Sequence, residues 1–367
     1  MKDNRTNILF FAQQIHAPWI EGVKNNAMKI CEGLNKKVQV QIISHTGPHN
    51  NKRHDLIHGV EVHYLLQLTN NFVLQLWYLC IGTIRSIRFI CNERPQKIFI
   101  QYLDTSYLGA ILLVRIFFPK TPIILTLYST DELSIWYKKI FLRWVKFSQV
   151  IIISEYLRES IQSLGYKDQD IIHIPLSYDK ARYLKKSDFH LRDTKKILFS
   201  AGIKKEAGSF FMVDLAKKMP EYTFIFTLRQ FNTKSENELE LLKKYIQDSG
   251  VSNIKILRNI ENMEELLSGV GALVLPLQDI RIKMLTPVAL LEAMSRRTLC
   301  FVADLPNLVQ LVDNNQNAII FDRYNTSDLE KKIEENIHRE DIAQNAYHFA
   351  EKFPDFDDVV EKYFELI

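Results

Sequence analysis

The chain has 367 residues, 47% of them hydrophobic and 25% charged, and a formal net charge of +4. That length exceeds one typical core and fits two domains, and the composition is that of an ordinary globular protein. The charge is uneven: residues 1–180 carry a surplus of seven Lys and Arg over Asp and Glu, and the remainder a deficit of three. A basic first half points to an anionic surface as partner.

Asn7 to Ala12 reads as the first strand, followed by a loop to Glu21 holding His16, Pro18 and Trp19, and a helix from Gly22 to Leu34. Strands follow at Val38 to Ser44, Val60 to Leu65, Lys97 to Gln101, Ile123 to Tyr128, Val150 to Ser154 and Ile171 to Ile174, with helical patterns between them. This alternation predicts a doubly wound parallel sheet. Residues 175–194 are polar and aperiodic and read as a linker. A second series opens at Lys196, with strands at Ile197 to Ala201, Thr223 to Thr227, Ile254 to Leu257, Ala272 to Leu275, Leu299 to Ala303 and Ala318 to Phe321. The tail from Thr326 is helical, broken at Phe353-Pro354.

The four cysteines (Cys31, Cys80, Cys91, Cys300) share no metal-type spacing and sit in apolar runs, which reads as reduced core thiols. Met1 to Thr6 is polar and unlike a signal peptide. Together these set the expectation of a cytosolic protein.

Within the second series, Thr286 is placed to cap a helix with Pro287 at its first position, running to about Arg296. Its N-terminus would face the carboxyl ends of the sheet, where anionic ligands bind in open α/β folds. The stretch Pro-Val-Ala-Leu-Leu-Glu-Ala-Met-Ser (287–295) resembles the Glu-Ala-Met-Ala helix of nucleotide-sugar-dependent glycosyltransferases with the GT-B fold, retaining family 4 in particular. That family carries two glutamates separated by seven residues. Glu292 matches the second, and Met284 stands where the first would be.

The resemblance implies an α/β protein of two Rossmann-like doubly wound parallel-sheet domains facing a cleft. Its boundaries here would be an acceptor domain at 1–175, a linker at 176–195, a nucleotide-sugar domain at 196–340, and helices at 341–367 crossing back to the first domain. It further implies that Glu292 holds the ribose hydroxyls of the donor; the bland alternative is a solvated helix glutamate. Leu285, Thr286 and neighbouring backbone N–H groups, with Lys283 or Arg281, would meet the phosphates. Lys204 and Lys205 stand where the family has Arg and Lys gripping the diphosphate, and Arg229 is a further candidate. Gly22 keeps one glycine of the usual pair.

On the first domain the family has His-Asp or His-Glu after the strand at 123–127, where this chain reads Tyr128-Ser-Thr-Asp131. Tyr128 could hydrogen-bond a sugar but not shuttle a proton near pH 7. Asp131 is either a helix cap or a catalytic carboxylate, and His16 a possible acceptor-side base or an idle loop residue. The implied reaction is transfer of a sugar from a nucleotide-diphosphate sugar to a hydroxyl acceptor, glycan or lipid-linked, without metal or other cofactor.

Departures at Glu21, Tyr128, Ala207, Met284 and Arg297 keep a second reading open, a GT-B-like binding or scaffold protein without catalysis. A basic aromatic helix at 135–147, with Trp136 and Trp144 among Lys138, Lys139, Arg143 and Lys146, suggests contact with an anionic membrane surface. An ordinary core helix is its alternative. Neither that helix nor the run 72–89 is an uninterrupted apolar span of about 20 residues, so no spanning helix is expected. No nucleic-acid motif is present.

Overall fold

Short apolar runs separated by helices build two sheets in the computed structural model, which describes residues 6–16, 22–46, 52–67, 72–185, 189–228, 233–258, 260, 262–281 and 284–367. Two units result, Met1–Ser177 with Phe356–Ile367, and Tyr178–Asp355.

The first unit opens with β1 (Asn7–Ala12), α1 (Gly22–Asn35), β2 (Gln39–His45), β3 (His54–Ile57) and β4 (Val60–Leu66). It continues with α2 (Phe72–Glu93), β5 (Lys97–Gln101), α3 (Leu108–Phe117), β6 (Ile123–Leu127), α4 (Asp131–Ser134) and α5 (Trp136–Val145). It then runs through β7 (Gln149–Ile152), α6 (Arg158–Gln162) and β8 (Ile171–His173). The sheet order is β3-β4-β2-β1-β5-β6-β7-β8. All neighbours pair in parallel except β3 with β4, which are antiparallel. Ile8 to Ala12 and Ile123 to Leu127 are fully buried, as expected of central parallel strands covered on both faces.

The second unit holds α7 (Lys180–Tyr183), β9 (Asp193–Phe199), α8 (Ser209–Lys218), β10 (Thr223–Leu228), α9 (Thr233–Asp248) and β11 (Ile254–Arg258). After these come α10 (Met263–Gly269), β12 (Val270–Leu275), α11 (Val288–Ser295), β13 (Leu299–Ala303), α12 (Pro306–Val309) and β14 (Ile319–Phe321). Two helices, α13 (Thr326–Asn336) and α14 (Glu340–Lys352), complete it. Its sheet is wholly parallel in the order β11-β10-β9-β12-β13-β14. The last helix, α15 (Phe356–Phe364), returns to the first unit and packs on α1.

Three sequence expectations need correction. Residues 178–185 and 189–192 are no linker. Tyr178, Tyr183, Phe189 and Arg192 are buried in the second unit, and the Arg192 guanidinium donates to Leu267 O (2.6 Å), Val270 O (3.0 Å) and Thr298 Oγ1 (3.2 Å). The return to the first unit begins at Phe356 rather than at 341, because α14 packs on α11 within the second unit. Cys80 and Cys91 are exposed, since the apolar helix carrying them turns much of its surface outward. Among the described helices, Val73–Glu93 alone has the length and composition of a spanning helix. It is nevertheless seated on the first unit: a Cβ on Gly82 would stand 2.8 Å from Leu66 Cδ2, and one on Gly109 of α3 2.7 Å from Thr83 Oγ1.

Candidate functional site

In the second unit the candidate residues gather at the carboxyl ends of the strands, where the loops after β9 and β12 meet. After Phe199 the chain turns through Gly202 at φ 116° and presents Lys204 and Lys205, both exposed. Gly208 (φ 87°) closes the loop, and a Cβ there would stand 2.1 Å from Pro276 O. Only glycine permits both that left-handed backbone and that approach. Gln278 N donates to Glu206 O at 2.9 Å, and Ser209 Oγ to Ile203 O at 2.7 Å, so the lysine loop is fastened on both sides.

Glu292 is half-buried on α11. With Leu198, Ser200, Met263, Leu267, Leu273 and Ala289 it lines a recess of about 10 Å³, room for about one water. Arg182, whose Nη2 lies 2.7 Å from Glu264 Oε2, is pushed further into its charged form by that hydrogen bond and also by the field of Glu292. A basic group missed in the sequence thus lies within electrostatic reach of Glu292.

Leu285 and Thr286 are buried, and Asn307 Nδ2 fixes the loop by donating to Leu285 O at 2.7 Å. Thr286 is not the cap. Pro287 occupies that position and α11 begins at Val288 without a side-chain cap, leaving its first N–H groups for another acceptor. Arg281 is held by Asp279 (Nε to Oδ1 3.0 Å, Nη2 to Oδ2 2.5 Å), which depresses the Asp279 carboxyl below its usual range. Lys283 and Arg229 lie outside the described residues.

In the first unit Gly22 is the first residue of α1. His16 follows β1, half-buried, and its carbonyl accepts from Lys24 Nζ at 2.9 Å. Tyr128 is not positioned to touch a sugar. It is fully buried, donates to Gln101 Oε1 (2.5 Å), and accepts from Asn26 Nδ2 (3.1 Å). Asp131 is the first residue of α4, half-buried, with Oδ2 3.5 Å from the Tyr102 hydroxyl.

Two carboxylates that sequence reasoning passed over do more here. Glu132 is fully buried and accepts backbone N–H groups of Leu103 (2.6 Å), Tyr128 (2.6 Å) and Ser129 (3.0 Å), tying the loops after β5 and β6 together. Burial pushes its carboxyl up to about 7, against the pull of those donors and of Lys138. Asp104 accepts from Ser106 Oγ at 2.5 Å and from Gln13, and the same seryl oxygen lies 2.7 Å from His45 Nε2. Burial holds His45 below its ordinary value. The only signal for either carboxylate was its place just after a buried strand.

Residues 182–353 match the family described as Glycosyl transferases group 1. No curated relative matches the chain by sequence. Among solved structures, the chain is similar to HepE of Anabaena in complex with UDP (14% identity, TM-score 0.75, 98% of this chain and 99% of that one). It is also similar to sucrose-phosphate synthase of Thermosynechococcus elongatus (11% identity, TM-score 0.79, 99% and 98%). A third is WaaG, a glycosyltransferase involved in lipopolysaccharide biosynthesis (12% identity, TM-score 0.71, 98% and 99%).

Proposed function

We propose that this chain is a glycosyltransferase that moves a sugar from a nucleotide-diphosphate donor to a hydroxyl acceptor; the match of residues 182–353 to Glycosyl transferases group 1 and the two parallel-sheet units of the GT-B fold support the reading. The observation that carries the reading is Glu292, half-buried beside Ser200 at the carboxyl end of the second unit's sheet.

A carboxylate there can accept from both vicinal ribose hydroxyls. Lys204 and Lys205 on their fastened loop, and the uncapped N–H groups at the start of α11, offset the leaving diphosphate. In this reading those groups serve in place of a metal, and the donor is the only small molecule beside the acceptor. UDP in the HepE complex supports a nucleotide donor of that class. Retention of anomeric configuration follows from the family 4 likeness. On the acceptor side His16 and Asp104, at the ends of β1 and β5, keep some exposure.

The finer part of the reading is a peripheral place on an anionic membrane, with a lipid-linked or membrane-presented acceptor. Its support is the first unit's helical surface, whose aromatic and basic side chains face outward.

The test is a thermal-shift panel of UDP, GDP, ADP and their sugars, since a ligand of the native state raises its melting temperature by mass action. A shift with one nucleotide, larger with its sugar, is expected. No shift with any of them would return the chain to the scaffold reading.

A further inference from the structure

The hairpin at the edge of the first unit's sheet carries a cluster that the glycosyl-transfer reading does not use. β3 and β4 pair antiparallel with His54 directly opposite His63. Glu61 lies two residues before His63 on the same strand, so all three side chains stand on one face. Their donor atoms fall within 4.8 Å of one another. From this geometry we propose that His54, Glu61 and His63 form a site for one divalent transition ion, of which zinc is the best match.

The ligand set argues for that class. Two imidazoles and one carboxylate suit zinc, which takes three protein ligands and a water in tetrahedral geometry. Magnesium and calcium prefer all-oxygen shells. Tetrahedral zinc holds neighbouring ligand atoms about 3.4 Å apart, given metal–ligand bonds of about 2.0–2.1 Å. Rotation of the exposed His54 and the part-exposed Glu61 closes that difference.

His63 is the fixed member. Its ring packs against Phe89 of α2 at 4.4 Å and against His54 at 4.9 Å, centroid to centroid. Its Nε2 is buried without a hydrogen-bond partner among the described residues, and lies 3.7 Å from Glu61 Oε2. A buried, unpartnered ring nitrogen aimed at a carboxylate is costly unless something bridges the two. Burial, first, and the neighbouring His54 hold the His63 imidazole below its ordinary value, against the pull of Glu61.

Glu61 has the support that ligating carboxylates usually have. Gln41, buried on the adjacent strand β2, donates from Nε2 to Glu61 Oε2 at 3.0 Å. A bound ion would cross-link the edge strand β3 to β4 through side chains. Such an ion stabilises a sheet edge that is otherwise only half-protected.

The test is titration of the full chain with zinc alone, followed by calorimetry and by melting temperature. One saturating equivalent and a raised melting temperature are expected, and magnesium should produce neither. His54→Ala, at an exposed position where folding is not at risk, should weaken zinc binding about 100-fold, and Gln41→Ala about 10-fold. Cys80 and Cys91 are exposed on α2 and could take up zinc on their own, a contribution that His54→Ala would leave untouched. The inference is overturned if no saturable uptake occurs, or if uptake is undiminished in His54→Ala and in His63→Ala.

Discussion

A Cβ on Gly33 would stand 2.4 Å from Cγ2 of Val360. The two residues mark where α1 and α15 cross, so the C-terminal helix meets the first unit with no spare volume. Around that point Lys37 pairs with Glu361, and Tyr363, fully buried, lies 2.9 Å from Thr126 Oγ1. One face of α15, Val359, Val360 and Tyr363, is therefore part of the first unit's core.

Gly33→Ala pits two effects against each other. Alanine is favoured over glycine within a helix by about 1 kcal/mol, whereas forcing a methyl into filled space costs about 1–3 kcal/mol. The clash should win, and urea unfolding should show a net loss of up to about 2 kcal/mol. Val360→Ala in the same chain should recover part of it. A Gly33→Ala protein as stable as the parent would mean that α15 can slide on α1.

Glu132 gives the first unit a pH dependence of known sign. Burial raises its carboxyl from the ordinary 4.5 to about 7 in the folded protein, so the folded state binds the proton more tightly than the unfolded chain. Its contribution to stability is full below about pH 4.5 and is lost as pH rises to about 7, by about 3 kcal/mol. Glu132→Gln cannot titrate and should lack this slope, although it is less stable throughout because its amide N–H₂ meets backbone donors. Equilibrium unfolding of both proteins between pH 4.5 and 7.5 decides it; parallel curves would exclude Glu132 as the titrating group.

How much of this was legible in the sequence follows from what makes an apolar run. β1, β5, β6, β12 and β13 are buried on both faces, and their bounds were readable to within two residues. β3 was not, because His-Asp-Leu-Ile alternates exposed and half-exposed at a sheet edge and offers no hydrophobic run. Residues 178–192 looked like linker because their anchors, Tyr178, Tyr183, Phe189 and Arg192, are spaced without helical or strand period. Arg192 in particular is a cation whose burial depends on carbonyls some 75 or more residues away in sequence. The candidate residues on the second unit's loops came from the likeness around Glu292. Tyr128 misled, since a tyrosine after a strand looks the same whether its hydroxyl faces ligand or, as here, Gln101 and Asn26.

Glu292→Ala should weaken nucleotide binding by about 1–3 kcal/mol, the range for removing a charged hydrogen-bond partner. The residue is half-buried and Arg182 keeps Glu264, so the ligand-free melting temperature should stay near that of the parent. Calorimetry with the nucleotide selected by thermal shift is the measurement. Unchanged affinity in a folded variant would make Glu292 a structural residue.

Lys204 and Lys205 should recognise the diphosphate rather than the base or ribose. Both are exposed on a loop whose fastening at Gly208 and Glu206 does not involve their side chains, so changing both to alanine should leave the fold intact. Affinity for UDP or GDP should fall far more than affinity for the bare nucleoside. Equal losses for the two ligands would rule out phosphate contact.

The membrane proposal now has a defined surface. Trp136 (72% exposed), Ile140 (45%) and Trp144 (82%) line one side of α5. The neighbouring α3 exposes Leu112, Ile116 and Phe117, and α2, packed on α3, exposes Val73, Leu74, Leu76 and Trp77. Arg115 joins α3 to the end of α5 by donating from Nε to Val145 O at 2.9 Å. From Phe72 to Asn92, and throughout α3 and α5, there is no acidic residue.

The basic set differs from the expected four. Lys138 is buried, 5.7 Å from the Tyr102 ring, and belongs to the core. Lys139, Arg143 and Lys146 remain exposed, each worth about 1 kcal/mol near an anionic leaflet. Co-sedimentation with vesicles should therefore rise with anionic lipid and fall with salt. It should drop when Lys139, Arg143 and Lys146 become glutamate, and drop again with Trp136→Ala and Trp144→Ala. Lys138 is left unchanged in this test, because a carboxylate there would sit buried beside Glu132 and unfold the loop. Binding that ignores salt, these three charges and both tryptophans would leave the helices with an exposed apolar face and no lipid to cover it.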